Sequence, residues 1–450
     1  MLHTRLTAAR SRLREIATGG SASVAVSVGA TNLLRIISTM TLTRLLDSHA
    51  YGVVGLILSI SYVVTMLSDV GLYNFIIRHK EGEDEKFLNE IWTIRMMRGV
   101  GLAVLMVVLA EPFALLVQKP EIAGALAVWS ISFVLDGFSS LAFALGVRNH
   151  QFWRLSLLDL SYNVATFMMS IVMALVLRSY WALIIGMVLG GMVKLVLSYV
   201  LFPHSRRAIR FSMARSRELW GFSRYIAMSS FLSVLILQTD KVVLARLMPL
   251  AEFGLYSIAT TLSVAPAAIS GMYANRVLLA AYSKAQRKEP ERLRHVFYEK
   301  RRNILLLYMF ALAGIVTGAP LIVEVLYDDR YRGVTPFLQW LVISPMLRLM
   351  VLSSNQVLLS VGQTRSTLTA NVFRITWLAI GAGAGLWMHN IMLLVAAVGT
   401  VEVPGLLCFW FNLHRVKLLD LRQEALGFIA AGAGLGVGWA VNAAGMALIG

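Results

Sequence analysis

The sequence is short of charged residues and has a single cysteine. Only 14% of its 450 residues are Asp, Glu, Lys or Arg, against about 25% in an ordinary soluble domain. The lone Cys408 excludes an intrachain disulfide and any metal site built from several cysteines. The eight histidines form no pair with metal-ligand spacing, which argues against an enzyme with a histidine-bound metal. We therefore predict no cofactor and no metal site.

What the chain has in excess is apolar residues, which make up 58% of it. At about 20 apolar residues per crossing, this composition suffices for roughly a dozen passages through a bilayer. It predicts an all-α polytopic integral membrane protein and excludes a disordered chain. We expect thirteen spans, or fourteen if another follows Gly450. The apolar segments run over 20–43, 51–73, 91–117, 121–147, 155–177, 181–202, 219–247, 251–282, 304–327, 334–359, 366–388, 390–413 and 426–449.

Lys and Arg outnumber Asp and Glu by 41 to 24, and they are concentrated in alternate loops. The loops on the side of the N-terminus hold 26 of them, and the loops on the opposite side hold six. Because cytoplasmic loops carry the excess of Lys and Arg in membrane proteins, the N-terminus is predicted to be cytoplasmic. We expect the longest basic loop, 284–302, to contact anionic lipid headgroups rather than nucleic acid.

One motif occurs twice, R-L-(L/M)-x-x-x-x-(Y/F)-G. Its copies begin at Arg44 and Arg246, 202 residues apart, which is close to the length of six spans. Two similar turns could arise by chance, but repeats are usual in transporter folds. Because six is even, two six-helix lobes would have the same orientation in the membrane. The predicted parts are a basic cytoplasmic segment 1–19, a first lobe 20–202, a basic cytoplasmic linker 203–218, a second lobe 219–414 and an additional span within 415–450.

Several stretches resemble one family in their order and spacing, over about residues 20–415. They are TLTRLLDSHAYGVVGLILSI with LSDVGL in the first half, then QTDKVVLARLMPLAEFGLYSIA, LIVEVLYDDRYRGVTPFLQWLVI and LLSVGQTR in the second. The chain is similar in these stretches to the polysaccharide flippases of the multidrug/oligosaccharidyl-lipid/polysaccharide exporter superfamily.

The resemblance implies a transporter of the bacterial inner membrane. Members of this family move undecaprenyl-diphosphate-linked oligosaccharide repeat units from the cytoplasmic to the periplasmic leaflet, by alternating access. The expected role is in lipopolysaccharide or exopolysaccharide biosynthesis. The expected partners are the lipid-linked oligosaccharide, membrane lipids, and a polysaccharide polymerase with its export proteins; no nucleic acid is expected. The resemblance also implies that a span beyond the twelfth helps to form a groove for the lipid tail.

Charges within the predicted spans are the candidate functional residues, because a charge at a helix centre costs about 2.5–3.5 kcal/mol on insertion scales. Most are arginines, whose planar fork suits the oxygens of a diphosphate. A structural role is the alternative for all of them. Snorkelling to the interface is a further alternative for Arg224 and Arg374, and it is the preferred interpretation of Arg95, Arg98 and Lys194. The predicted cationic cavity comprises Arg35, Arg224, Arg276, Arg348 and Arg374. Its predicted polar lining comprises Thr31, Asn32, Ser38 and Asn371.

Acidic residues within the spans are fewer. The candidates are Asp69, Asp136 and Asp240, the last followed directly by Lys241. Each could form a structural salt bridge to another helix. The other interpretation is that they couple transport to a proton or another ion.

Three other functions compete with this prediction. A flippase for another lipid-linked precursor, such as that of peptidoglycan, would have the same general features. A multidrug exporter of the same superfamily would need a cavity of the opposite charge to bind cationic drugs. A membrane glycosyltransferase or polymerase would need a carboxylate-rich outer loop, for which Asp328–Asp329 is the best candidate. We predict a transporter with no enzymatic activity.

The orientation can be tested by cysteine labelling. A cysteine placed at Ser283, in a chain without Cys408, should react with membrane-permeant thiol reagents only, because it is predicted to be cytoplasmic. Labelling by an impermeant reagent in intact spheroplasts would reverse the predicted topology.

Overall fold

The computed structural model describes residues 20–68, 71–202 and 207–449, and within these ranges the chain is helical with no strand. The prediction of an all-α protein is therefore confirmed. The helices up to the middle of the chain are α1 Gly20–Leu45, α2 Ser48–Leu67, α3 Leu72–Arg78, α4 Glu85–Leu116, α5 Ile122–Trp129, α6 Ile131–Phe138, α7 Ala142–Arg148, α8 Phe152–Leu177, α9 Trp181–Val200 and α10 Met213–Leu247.

The second part of the chain continues with helices that are broken more often. They are α11 Leu250–Val264, α12 Ala267–Tyr273, a π-helical turn Ala274–Leu278, α13 Leu279–Lys288, α14 Leu293–Leu326, α15 Val334–Leu341, α16 Ile343–Ser360, α17 Arg365–Trp387, α18 Ile391–Gly399, α19 Glu402–Arg415 and α20 Leu421–Ile449. Short 3-10 turns at Pro290–Arg292 and Asp329–Tyr331 lie before and after α14.

The predicted apolar segments coincide with single helices or with consecutive ones. In the described part of the chain, eight helical stretches are long and apolar enough to cross a membrane, or nine if the bent segment α5–α7 counts as one span. This confirms a multi-pass helical membrane protein. The stretches that qualify singly are Ser48–Met66, Glu85–Leu116, Phe152–Leu177, Trp181–Val200, Pro290–Leu326, Val334–Ser360, Ile391–Arg415 and Leu421–Leu448.

The chain divides between Gln238 and Thr239 into two compact units. The boundary lies within α10, whose first residue, Met213, falls in the stretch predicted as a linker. The described part of that linker is bound to the first unit. Its backbone amides at Ala208 and Arg210 donate to Asn89 and Thr93 of α4, at 3.0 and 2.8 Å.

Arg215, in the first turn of α10, reinforces this attachment. Its guanidinium pairs with Glu81 at 2.6 Å, Glu90 at 3.2 Å and Glu218 at 2.6 Å. It also lies 4.7 Å from the ring centre of Phe87. Burial disfavours the charged form, but the hydrogen bonds that Arg215 donates to Glu81 and Glu90, together with the charge of Glu218, outweigh it and raise the pKa of Arg215.

The basic stretch 284–302, which was predicted to be a loop, does not have the form of a loop. Most of this stretch is helical, and Arg301 lies inside α14 with its side chain only 1% exposed. Its guanidinium pairs with Glu424 of α20 and donates to Ser353 of α16 at 3.0 Å. A buried arginine needs such compensation because desolvation of a single charge costs several kcal/mol.

Helix α20 packs along α14 through a row of glycines. A Cβ atom added at Gly434 would lie 2.2 Å from the carbonyl oxygen of Phe310, and one at Gly438 would lie 2.3 Å from that of Gly314. The helices also exchange polar contacts there, since Thr317 donates to the Leu435 carbonyl at 2.8 Å. Glycine lets two helices approach this closely because it has no side chain to separate them.

Both units contain a helix that is interrupted at the corresponding position, between α5 and α6 in the first unit and between α15 and α16 in the second. Helix α15 begins and ends 212 residues after α5 does, as Ile122 and Val334 show. Helix α16 likewise begins 212 residues after α6. The buried positions follow the same offset, from Ala125 to Phe337 and from Phe133 to Pro345. Pieces of the two units are thus built on one local pattern.

The glycine contact predicts a position-dependent loss of stability. Gly434→Ala should destabilise the packing of α20 by about 1–3 kcal/mol, because the new methyl group forces the two backbones apart. Gly436→Ala is the matched control, since nothing lies within 4 Å of its added Cβ. Thermal unfolding of the purified variants measures the difference. Equal unfolding temperatures for the two variants would contradict this account of the packing.

Candidate functional site

Three charged side chains meet in the second unit. Arg348 of α16 donates from Nη1 to Oε1 of Glu402 at 2.8 Å, and Arg374 of α17 donates from Nη2 to Oε2 of the same carboxylate at 2.5 Å. The other terminal nitrogen of Arg374 donates to Asn371 at 2.9 Å. The structure thus brings together three predicted site residues, Arg348, Arg374 and Asn371, around one acid.

The depth of this cluster follows from its place on the helices. At 1.5 Å per residue, Arg348, Arg374 and Glu402 lie roughly 14–20 Å from the helix ends that are predicted to be cytoplasmic. Half of the hydrocarbon core of a bilayer is about 15 Å. The cluster therefore lies near the middle of the spans, where charges are most costly.

Breaks in two helices position the cluster. Glu402 is the first residue of α19, directly after the interruption that follows Gly399. Gly399 packs against the end of α15, since a Cβ there would lie 2.1 Å from the carbonyl oxygen of Trp340. Gly405 makes room for an arginine, because a Cβ at this position would lie 2.7 Å from Nε of Arg374. Interrupted helices of this kind commonly form the binding sites of transporters.

The cluster is unevenly exposed and has a formal charge of one positive. The Glu402 side chain is 3% exposed and that of Arg374 is 15% exposed, whereas Arg348 is 40% exposed. Arg348 uses one of its five N–H donors in the hydrogen bond to Glu402. Its remaining donors can bind an anion, and phosphate oxygens match the guanidinium fork.

The other predicted cationic residues are not brought to this cluster. Arg35 is exposed on α1 and forms no ion pair with any residue of the described ranges. Around it, Thr31, Asn32 and Ser38 are half-buried. The side chains of Arg224 and Arg276, and all of Asp69, lie outside the described residues.

Asp240 and Lys241 belong to different environments on α10. Asp240 is buried and accepts a hydrogen bond from the hydroxyl of Tyr256 on α11. Lys241 is half-buried, and its positive charge acts on Asp240. The tyrosine hydroxyl thus satisfies one oxygen of the buried carboxylate.

In the first unit, Asp136 of α6 forms a salt bridge with Arg95 of α4 at 2.9 Å. The snorkelling interpretation of Arg95 is wrong, because its side chain is only 5% exposed. It also donates to the backbone carbonyls of Ser139 and Ser140, at 3.3 and 3.0 Å, where the helix is interrupted. Arg95 thus satisfies carbonyl groups that the break leaves without intrahelical donors.

Sequence reasoning missed Glu402 as a site residue. Its partners Arg374 and Arg348 lie 28 and 54 residues away in the chain, so no spacing within one helix reveals them. One signal in the sequence could have identified it. Glu402 is an acid within a predicted span, and the two spans that precede it in the chain each contain an arginine.

The loop of Asp328 and Asp329, between α14 and α15, offers little to catalysis. Asp328 pairs with Arg330 at 2.6 Å, and Asp329 pairs with Arg332 at 3.1 Å. Both carboxylates therefore already have cationic partners, unlike a base or metal ligand that is held ready for a substrate.

The comparisons with known proteins agree on one family. The family model described as polysaccharide biosynthesis protein matches residues 41–336. The chain is 24% identical over 375 residues to the lipopolysaccharide biosynthesis protein WzxC of Escherichia coli strain K12, covering 82% of this chain and 75% of that protein. It is also 24% identical over 316 residues to the succinoglycan biosynthesis transport protein ExoT of Rhizobium meliloti strain 1021, covering 69% of this chain and 62% of ExoT.

Among solved structures, the fold is similar to that of the lipid II flippase MurJ in an inward closed conformation. The TM-score is 0.71, and the likeness covers 92% of this chain and 98% of MurJ. The sequences are 11% identical, so this likeness concerns the fold alone.

Removing the carboxylate of Glu402 should leave the positive charges of Arg348 and Arg374 uncompensated. Glu402→Gln leaves two arginines without their anion, and breaking a buried pair costs about 3–5 kcal/mol. Inorganic pyrophosphate should therefore raise the unfolding temperature of Glu402→Gln more than that of the unaltered protein. Thermal unfolding with and without pyrophosphate measures this.

Glu324→Gln is the control, because it removes a Glu–Arg pair whose arginine, Arg332, is exposed in the loop between α14 and α15. The same response to pyrophosphate in Glu324→Gln would show that the anion does not act at the cluster.

Proposed function

The chain belongs to the polysaccharide biosynthesis protein family, and from this we propose that it is a flippase for a lipid-linked oligosaccharide. The substrate is an undecaprenyl-diphosphate-linked repeat unit, which the protein moves from the cytoplasmic to the periplasmic leaflet of the bacterial inner membrane. The names of its relatives support this, because they refer to the biosynthesis and transport of surface and secreted polysaccharides. Transport of this kind needs no covalent chemistry.

The observation that carries the proposal is the cluster of Arg348, Arg374 and Glu402. Two arginines share one acid near the middle of the spans, which leaves a positive charge where an isolated charge would be costly. A diphosphate would compete with Glu402 for the two guanidinium groups. Asn371, which already contacts Arg374, would hold that arginine in place during the exchange.

We further propose the membrane arrangement that accompanies this function. Two six-helix lobes, 20–202 and 219–414, lie in the inner membrane with the N-terminus in the cytoplasm, and the chain has thirteen or fourteen spans. The matched breaks of α5–α6 and α15–α16 support such a repeat. Rocking of the lobes would expose the headgroup to each side in turn. A polysaccharide polymerase and export proteins would act on the released product.

An apolar groove supports a place for the lipid tail. It has a volume of about 210 Å3 and runs between α14 and α20. Its walls are formed by Phe310, Ile315, Leu321, Val437, Val441 and the glycines at 314, 318, 434 and 438. We propose that the polyprenyl chain contacts this groove while the headgroup crosses.

The charge of the cluster distinguishes the competing functions. A multidrug exporter would have to bind cationic drugs, and an arginine pair repels them. A flippase for a peptidoglycan precursor shares the diphosphate and remains the second candidate, since the fold resembles that of MurJ. The relatives' names favour surface polysaccharide instead.

Export of the glycan in a deletion strain tests the proposal. Arg348→Ala should weaken headgroup binding by about one to two orders of magnitude, because one charged hydrogen bond is worth roughly 1.5–3 kcal/mol. Arg348→Lys should restore export in part, since it keeps the charge and loses the fork. Arg35→Ala and Arg276→Ala test two more of the predicted cations in the same assay.

Arg365→Ala is the matched control, because this arginine is exposed at the start of α17 and outside the cluster. The amount of protein in the membrane must be measured for every variant. Full export by Arg348→Ala combined with Arg374→Ala, at normal abundance, would overturn the role of the cluster. Complementation of a peptidoglycan-flippase deletion would favour the second candidate.

A further inference from the structure

The first unit contains a polar cavity that the proposed function leaves without a role. It has a volume of about 240 Å3, whereas pockets for drug-sized molecules measure about 300–1,000 Å3. Four helices each contribute one charged side chain to its wall, and these are Arg95 of α4, Asp136 of α6, Asp159 of α8 and Lys194 of α9. The cavity therefore has room for a small organic molecule and is lined by charges of both signs.

The formal charges of this cavity cancel, because two bases face two acids. Arg95 pairs with Asp136 at 2.9 Å, and the positive charge of Lys194 acts on Asp159. The Asp136 side chain is nevertheless 58% exposed, and Asp159 is exposed as well. An ionised carboxylate has about four lone-pair sites for hydrogen bonds. Both acids can therefore accept hydrogen bonds from a molecule in the cavity.

The break after α6 forms a fixed wall of the cavity. Arg95 donates to the carbonyls of Ser139 and Ser140, at 3.3 and 3.0 Å. The Ser140 hydroxyl donates to the Ser198 carbonyl of α9 at 2.8 Å, and the Ser140 amide donates to the Ser198 hydroxyl at 3.1 Å. These bonds hold the wall in place before anything binds, which reduces the entropy lost on binding.

Two aromatic rings give the cavity an apolar side. Tyr73 of α3 and Phe143 of α7 both line it, and their ring centres lie 5.2 Å apart in an edge-to-face arrangement. Phe143 is 46% exposed. An aromatic ring offers a rigid apolar face, and the C–H face of a pyranose is an apolar surface of similar size. The cavity thus combines an apolar surface with hydrogen-bonding groups of both kinds.

This combination of charges selects among the possible ligands. A cation would meet Arg95 and Lys194, and an anion would meet Asp136 and Asp159, so either ion is repelled by part of the wall. A neutral molecule rich in hydroxyl groups can use all four side chains, because each hydroxyl both donates and accepts a hydrogen bond. Sites built to bond hydroxyl groups discriminate strongly between ligands, since a missing bond leaves a buried polar group unsatisfied.

We propose that this cavity binds one uncharged monosaccharide unit through its hydroxyl groups. Asp136 and Asp159 accept hydrogen bonds from the sugar, and Lys194 donates to it. Phe143 packs against the C–H face of the sugar ring. The cluster of Arg348, Arg374 and Glu402 in the second unit is positively charged instead, so the two units recognise different chemical groups. That the sugar is part of a transported lipid-linked oligosaccharide rests on the proposed function.

Saturation-transfer NMR tests the site with the full chain in lipid nanodiscs that contain no glycoside detergent. The probes are the methyl glycosides of glucose, galactose and N-acetylglucosamine, each paired with its uronic acid, whose carboxylate is ionised at neutral pH. At least one neutral glycoside should bind about tenfold or more tightly than its uronate, because the balanced cavity leaves the additional charge uncompensated. Binding of none of the neutral glycosides, or equal affinity for the uronates, would overturn the proposal.

Two variants change the charge of the cavity in opposite directions. Asp159→Asn makes it formally positive and should raise the affinity for the uronate relative to its neutral partner, whereas Lys194→Gln makes it negative and should lower that ratio further. Glu83→Gln is the control, because it removes an exposed carboxylate that pairs with Arg148 outside the cavity. The ratio does not depend on how much of a variant is folded. The same ratio in both variants as in the parent chain would contradict the assigned site.

Glycan export in a deletion strain tests separately whether the site serves transport. Asp159→Asn should reduce export at equal abundance, and Glu83→Gln should leave it unchanged. Binding of neutral glycosides by a protein whose deletion leaves glycan export intact would contradict the proposed function alone. Export that depends on the protein, together with no binding of neutral glycosides, would contradict the sugar site alone.

Discussion

The cost of burying an unpaired charge determines which side chains of this protein meet. Arg301 and Glu424 are each 1% exposed and join α14 to α20, because either charge alone would be prohibitively expensive there. The same constraint places Asp136 against Arg95 and Glu402 between two arginines. Ion pairs therefore connect helices that are distant in the sequence, and the glycine contacts of α14 and α20 complete one of these junctions.

Interruptions of the helices are the second feature that positions the charged clusters. A continuous helix satisfies its own backbone groups, whereas a break leaves carbonyls and amides that need partners. Arg95 fills this need at Ser139 and Ser140, and Glu402 stands at the first turn of α19 beside another break. Both charged clusters thus lie where the backbone is irregular, which is also where a transporter can change shape at least cost.

These features agree with the family to which the chain belongs. A flippase must pass a polar headgroup through a low-dielectric region without binding it irreversibly, so its cations need internal anions that can be exchanged. In the proposed function Glu402 is such an anion, since it holds two guanidinium groups and leaves Arg348 40% exposed.

The sequence by itself determined that this is an all-helical membrane protein, because composition and apolar periodicity are local properties that need no tertiary contact. It also located the apolar segments, the repeated motif and the arginines Arg348 and Arg374, whose presence in a span is visible from hydropathy alone. It could not reveal that Arg301 is buried, that Arg95 is paired, or that Glu402 joins the two arginines. Those facts depend on which helices become neighbours, and a residue 54 positions away is identified as a partner only when packing brings it within 2.8 Å.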